Sequence, residues 1–232
     1  MGILATVKDW AARYSAPEGC RIDVAELDVT PADLQPFAGS GPGVLFSLEA
    51  PGAVHKLQMW LPLAGGKGVV AVTAGAGPVA APELTEWEAI MVDGGPHDPP
   101  VDPITLTGSE ALELALSWVA RDFCRDYIFG PAIKAWLASK GVECGEGAFD
   151  FPDLELLERH VKENWCVLQF DSANTSYPAC DMVAVSGCGE AAFLMAHRDK
   201  DADEDFWSFL DPPVKVRSVG ELEKWLAEKT GL

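Results

Sequence analysis

Nowhere in this chain do apolar residues run close to the ~18 in succession that a membrane-crossing helix needs. Lys8 and Asp9 interrupt the first apolar stretch, so no secretion signal is expected there. Basic charge is scarce: 17 Lys and Arg stand against 36 Asp and Glu, a formal net charge of −19. A surplus of that size repels phosphate backbones and anionic headgroups, which argues against ordinary nucleic-acid and membrane binding. The six cysteines include no Cys-x-x-Cys knuckle and no dense framework. They are expected to be reduced thiols, several of them buried, in a cytoplasmic protein.

What is present suffices for a globular core, with 48% hydrophobic residues in 232. Ile3, Val7, Trp10 and Ala11 fall at helical spacing and predict a helix over 3–14, stopped at Pro17. Ile22, Val24 and Leu27 suggest an extended segment. Thr30 followed by Pro31 and Asp33 signals a short capped helix. Residues 44–48, 54–61 and 69–73 are β-like runs parted by Gly and Pro turns, suited to antiparallel pairing. One or two helical turns are expected over 83–88, a strand over 90–93, and a Pro- and Gly-rich loop over 94–103.

Two helices should follow. The first opens on a capping-box pattern from Thr107 to Glu110 and ends near Phe123; the second runs from about Pro131 to Ser139 and stops at Gly141. Residues 142–150 form a Gly- and acid-containing connector. Beyond it are expected a helix over 152–164, a strand over 165–170, a hairpin turning at Gly187-Cys188-Gly189, and a helix over 203–210. A strand near Val214 and a final helix capped by Ser218, with Glu221 three positions on, complete the chain. The fold class is therefore α+β, with mixed or antiparallel sheets and flanking helices. The expected division is two lobes, 1–145 and 146–232.

Several segments imitate chemical motifs. Gly75-Ala-Gly77 follows a strand-like run as a dinucleotide fingerprint would, but Pro78 and Pro82 shorten any helix behind it and no βαβ continuation follows. Gly65-Gly-Lys-Gly68 lacks both the upstream glycine and the Ser or Thr of a phosphate loop. The acidic run from Asp199 to Asp205 resembles a calcium loop, whose sixth residue must be Gly and whose twelfth must be Glu. Starting at Asp199 those places hold Glu204 and Leu210; starting at Asp201 they hold Phe206 and Pro212. The acids read instead as the dipole-complementing start of the helix over 203–210. With Phe206, Trp207 and Phe209 beside them, they also have the composition of a protein-binding patch.

Cys166, Cys180 and Cys188 with His160 or His197 have zinc-ligand chemistry at spacings too wide and irregular for a zinc site. No metal or cofactor is expected. Cys188 and His197 lie near one hairpin and form a candidate nucleophile–base pair, with Gly187 and Gly189 leaving room for a substrate at the sulfur. His97 with Asp98 is a second base-and-acid pair, in a loop whose tip is expected to be solvated. Met1-Gly2 with Thr6 fits the minimal myristoylation pattern, without a polybasic second signal.

None of these sets outweighs its purely structural explanation, so the leading expectation is a cytoplasmic acidic binding protein. It would act as an immunity protein or antitoxin that occludes the site of a basic protein partner. Asp199, Asp201, Asp203, Glu204 and Asp205 would steer association and Trp207 would hold it. One alternative is a small cysteine-dependent hydrolase or transferase using Cys188 and His197. Another is a scaffold module of a larger assembly.

Overall fold

The computed structural model describes residues 2–53, 55–63, 68–74, 83–86, 109–142, 144–146, 165–170, 182–198 and 205–232. Its class is α+β, with two antiparallel sheets and flanking helices. Contacts within the chain divide it into Met1–Ala120 and Arg121–Leu232, a division that falls ahead of the expected one between 145 and 146.

The first unit is built on a five-stranded meander in the order β1-β2-β3-β4-β5. Its strands are β1 (Arg21–Leu27), β2 (Gly43–Glu49), β3 (His55–Pro62), β4 (Val69–Ala74) and β5 (Glu83–Glu86). The near-continuous apolar character of β2 and β3 has a simple cause: both faces are covered. On one face Phe46 stands in register with Val24 and Met59. Helix α1 (Ile3–Arg13) covers that face, turning buried Val7 and Trp10 inward, with Trp10 edge-on to Phe46 at 5.4 Å. Burying a side chain the size of Phe46 contributes about 1.5–3 kcal/mol. On the other face Leu34 closes over Trp60 and Ala71, with Leu27, Ala38 and Leu45 packed around them.

Two local expectations for this unit are corrected. Thr30 does not cap a helix starting at Pro31; a turn stands there, and the four-residue helix α2 (Gln35–Ala38) begins later. The Thr30 hydroxyl is engaged by Gly41, donating to its carbonyl and accepting from its N–H, each at 3.2 Å. Residues 83–86 are not helical but form β5, pairing with Val69–Val72 of β4. The open side of β4 offers a ladder of partners, whereas one or two isolated helical turns cannot offset the cost of helix nucleation.

Helix α3 (Ser109–Cys124) buries Leu112, Ala115, Leu116, Val119, Ala120 and Phe123. It continues through a π-helical turn, Arg125–Phe129, into α4 (Gly130–Ser139). The two predicted helices are thus joined without a loop. Pro131 explains the widened turn: it has no N–H for the regular bond to the carbonyl four residues back, and Gly130 N–H reaches instead to Arg125. The capping-box start of α3 at Thr107 lies outside the described residues. So do the helix over 152–164, the strand over 90–93, the loop over 94–103 and the glycines over 75–80.

The second sheet follows the order β10-β9-β8-β7-β6. Its strands are β6 (Cys144–Glu146), β7 (Trp165–Phe170), β8 (Met182–Ser186), β9 (Glu190–Arg198) and β10 (Asp205–Phe209). A short β11 (Val214–Lys215) pairs with the start of β9. Val183 to Ser186 are all buried. Helix α5 (Val219–Thr230) packs on α4 and stacks Trp225 on Phe193 of β9 at 4.7 Å. Ser218 caps its N-terminus as the sequence predicts, its hydroxyl accepting from Glu221 N–H at 3.2 Å; the Glu221 carboxylate accepts from Arg217 N–H at 2.7 Å, one residue ahead of the N-cap N–H that a capping box uses.

Candidate functional site

The acidic segment leads into a strand rather than a helix, which corrects the expectation over 203–210. β10 runs antiparallel to β9, with Asp205 opposite Arg198, Phe206 opposite His197 and Trp207 opposite Ala196. Aromatic residues favour the pleated conformation, and the five-residue run DFWSF is too short for a helix to compensate its own nucleation. The free edge of β9 decides the outcome. Asp205 therefore opens a strand and does not complement a helix dipole. Trp207 stands two positions further along the same strand. Asp199, Asp201, Asp203 and Glu204 lie outside the described residues.

β10 and β11 lie along the same edge of β9. Leu210 N–H still bonds to Phe193 carbonyl at 2.8 Å, and pairing resumes at Val214 opposite Ala191. Between them stand Pro212 and Pro213, which have no N–H to offer a ladder. Among the described residues, β10 pairs with β9 alone, so its outer backbone edge carries no described strand. Such an edge is a template for another chain. No sequence signal announces it, because edge position depends on which other strands join the sheet.

The Cys188 and His197 pair is not assembled. Cys188 sits in the β8–β9 turn, closed by Gly189 N–H to Ser186 carbonyl at 2.9 Å and by Glu190 N–H to the Ser186 hydroxyl at 3.1 Å. His197 lies near the opposite end of β9, opposite Phe206. At about 3.3 Å per residue, roughly 23 Å of strand separates it from Glu190 beside the turn. A general base must lie within hydrogen-bond reach of its nucleophile.

The neighbouring glycines serve packing and not substrate access. A Cβ on Gly187 would lie 2.0 Å from the carbonyl oxygen of Arg121, and one on Gly189, at φ +75°, would lie 2.4 Å from that of Val216. The turn is also held by Lys215, whose ammonium donates to the Cys188 carbonyl. The Cys188 thiol is half-buried, Cys124 is buried, and burial pushes the Cys20 thiol up to about 11. Among the described residues, no group of three His, Cys, Asp or Glu could hold a metal ion. No helix among them is long and apolar enough to cross a membrane.

No family model, curated protein or solved structure matches this chain.

Proposed function

We propose that this chain is a cytosolic acidic binding protein that neutralises a basic protein partner, as an immunity protein or antitoxin does, by occluding the partner's site. One observation carries the reading: the densest acidic run of the sequence ends in β10, whose outer edge pairs with no described strand. The net charge of −19 would accelerate encounter with a basic surface and disfavour phosphate backbones and anionic membranes. Asp199, Asp201, Asp203, Glu204 and Asp205 are assigned the steering. Trp207 supplies an aromatic anchor, and the β10 edge supplies main-chain hydrogen bonds to an added strand. No observation favours the cysteine-hydrolase reading.

The test is co-expression and purification with the basic proteins encoded beside its gene, followed by association kinetics at ~50 to ~500 mM salt. The rate should fall steeply as salt rises. It should also fall when Asp199, Asp201, Asp203 and Asp205 are changed together to Asn, while Trp207→Ala should speed dissociation. A salt-insensitive rate, or no stable complex with any such protein, overturns the reading.

A further inference from the structure

A strand in an antiparallel sheet offers its main-chain groups alternately to its two sides, so one hydrogen bond fixes which residues bond inward and which outward. In β10 that bond runs from Leu210 N–H to the Phe193 carbonyl at 2.8 Å, in continuation of the β10–β9 register. Two and four residues back, Ser208 and Phe206 therefore turn their N–H and C=O toward β9. Asp205, Trp207 and Phe209 turn theirs away, to the side on which no described strand lies. The same three residues share one face of the strand.

The two ends of this row differ. Past Leu210 the outer strand has Asp211, Pro212 and Pro213 before Val214 pairs with Ala191, whereas β9 has Ala192 alone between Phe193 and Ala191. Extra residues on one strand bend it, and the prolines have no N–H to give, so an added strand stops here. At the other end stands Asp205, opposite Arg198. A residue set opposite Asp205 from the outer side has its Cβ about 4.5–5.5 Å from that of Asp205, a spacing that favours a cation and disfavours a second carboxylate.

That asymmetry selects the occupant. Two copies of β10, paired antiparallel through their outward residues, set Asp205 opposite Phe209, Trp207 or the other Asp205, and never opposite a base. A separate segment can place Lys or Arg there, with apolar residues opposite Trp207 and Phe209. Antiparallel addition continues the pairing of every described strand in both sheets and is slightly more stable per residue than parallel addition. We infer that the β10 edge takes an extended segment of a protein partner, antiparallel to β10, that reads apolar-x-apolar-x-Lys/Arg from its N-terminal end. Its first apolar residue lies opposite Phe209, its second opposite Trp207, and its base opposite Asp205. The choice of β10 as the binding edge rests on the proposed function; the direction and register of the segment come from the strand's own hydrogen bonding.

The experiment titrates the isotopically labelled full chain with the end-blocked peptide Val-Thr-Val-Thr-Lys and follows amide resonances. Those of Asp205, Trp207 and Phe209 should shift saturably, with smaller changes at Phe206 and Ser208, whose N–H groups already bond to β9. Methylating the nitrogens of both peptide valines removes the donors that face β10 and should weaken binding about tenfold, whereas methylating those of both threonines should leave it nearly unchanged. The reversed peptide Lys-Thr-Val-Thr-Val should bind about tenfold more weakly, because its base no longer meets Asp205. Asp205→Lys should weaken the original peptide, and a peptide with Glu in place of its Lys should restore binding to that variant. No saturable shift in β10, equal loss from the two methylations, equal binding of the reversed peptide, or no rescue by the Glu peptide overturns the inference. A basic protein partner that binds with a salt-dependent rate while the peptide fails any of these tests leaves the proposed function standing. Peptide binding as expected, with no basic protein partner found, removes the proposed function and keeps the edge site.

Discussion

The indole Nε1 of Trp10 donates to the hydroxyl of Ser117 at 2.8 Å, joining α1 to α3 across most of the first unit's sequence. The same pair of helices is bridged at the surface by Arg13 and Glu113, also at 2.8 Å. The two contacts differ in weight. Trp10 is 5% exposed, so losing its acceptor leaves a polar group away from water, whereas an exposed ion pair contributes ~0–1 kcal/mol. Ser117→Ala should therefore cost about 1–2 kcal/mol in urea unfolding, and Glu113→Gln less than half of that. Equal costs would show that the buried hydrogen bond carries no special weight.

Gly187 and Gly220 should respond in opposite directions to the same substitution. A Cβ on Gly187 would overlap the Arg121 carbonyl, a backbone group that cannot swing aside, and the cost should reach ~3 kcal/mol or prevent folding. A Cβ on Gly220, in the first turn of α5, meets nothing closer than the Ser218 hydroxyl at 4.0 Å. Gly220→Ala should stabilise by about 0.4–1 kcal/mol, because alanine has fewer unfolded conformations to lose. Thermal melts of the two variants check both signs.

The Ser218 cap is separable from the packing of α5. Ser218→Ala removes the acceptor for Glu221 N–H and should cost about 1 kcal/mol. Ser218→Asp should recover most of that, because aspartate caps as well and adds favourable charge at the helix N-terminus. A loss that aspartate does not restore would mean the serine acts through something other than its cap.

Burial raises the Cys20 thiol from 9.0 to about 11. Between those values the folded chain keeps a proton that the unfolded chain has released, so this group's effect on stability turns unfavourable as pH rises from about 9 through 11. Below about 9 both states hold the neutral thiol and the group is silent. Alkylation of Cys20, followed by mass spectrometry, should rise with a midpoint near 11 in the folded protein and near 9 in denaturant. Cys20→Ser should flatten the alkaline part of the stability profile. Identical midpoints in the two states would contradict the burial effect.

Elements written by local chemistry were legible in the sequence. α1 shows in the spacing of Val7 and Trp10, the last helix in Ser218 and Glu221, and the β8–β9 hairpin in its glycines. Each depends on neighbours within a few residues, so periodicity and capping carry the information. The α+β class and the surplus of negative charge are of this kind as well. Where partners lie far apart in sequence, reading by neighbours was not enough. The DFWSF segment is a strand because β9 has a free edge, Glu83–Glu86 is a strand because β4 has one, and Thr30 is no cap because Gly41 takes its hydroxyl.

The candidate sites divide in the same way. The acidic residues and the cysteine–histidine pair could be named from composition and proximity in sequence, but a strand sets residues seven apart more than 20 Å from each other, and that geometry disqualifies Cys188 with His197. The sequence by itself determined charge, class and the locally coded elements, since these follow from residue type and short-range spacing. Tertiary structure alone decided which edges stay open and which distant residues meet, as Trp10 meets Ser117, because both depend on pairings closed across long stretches of chain.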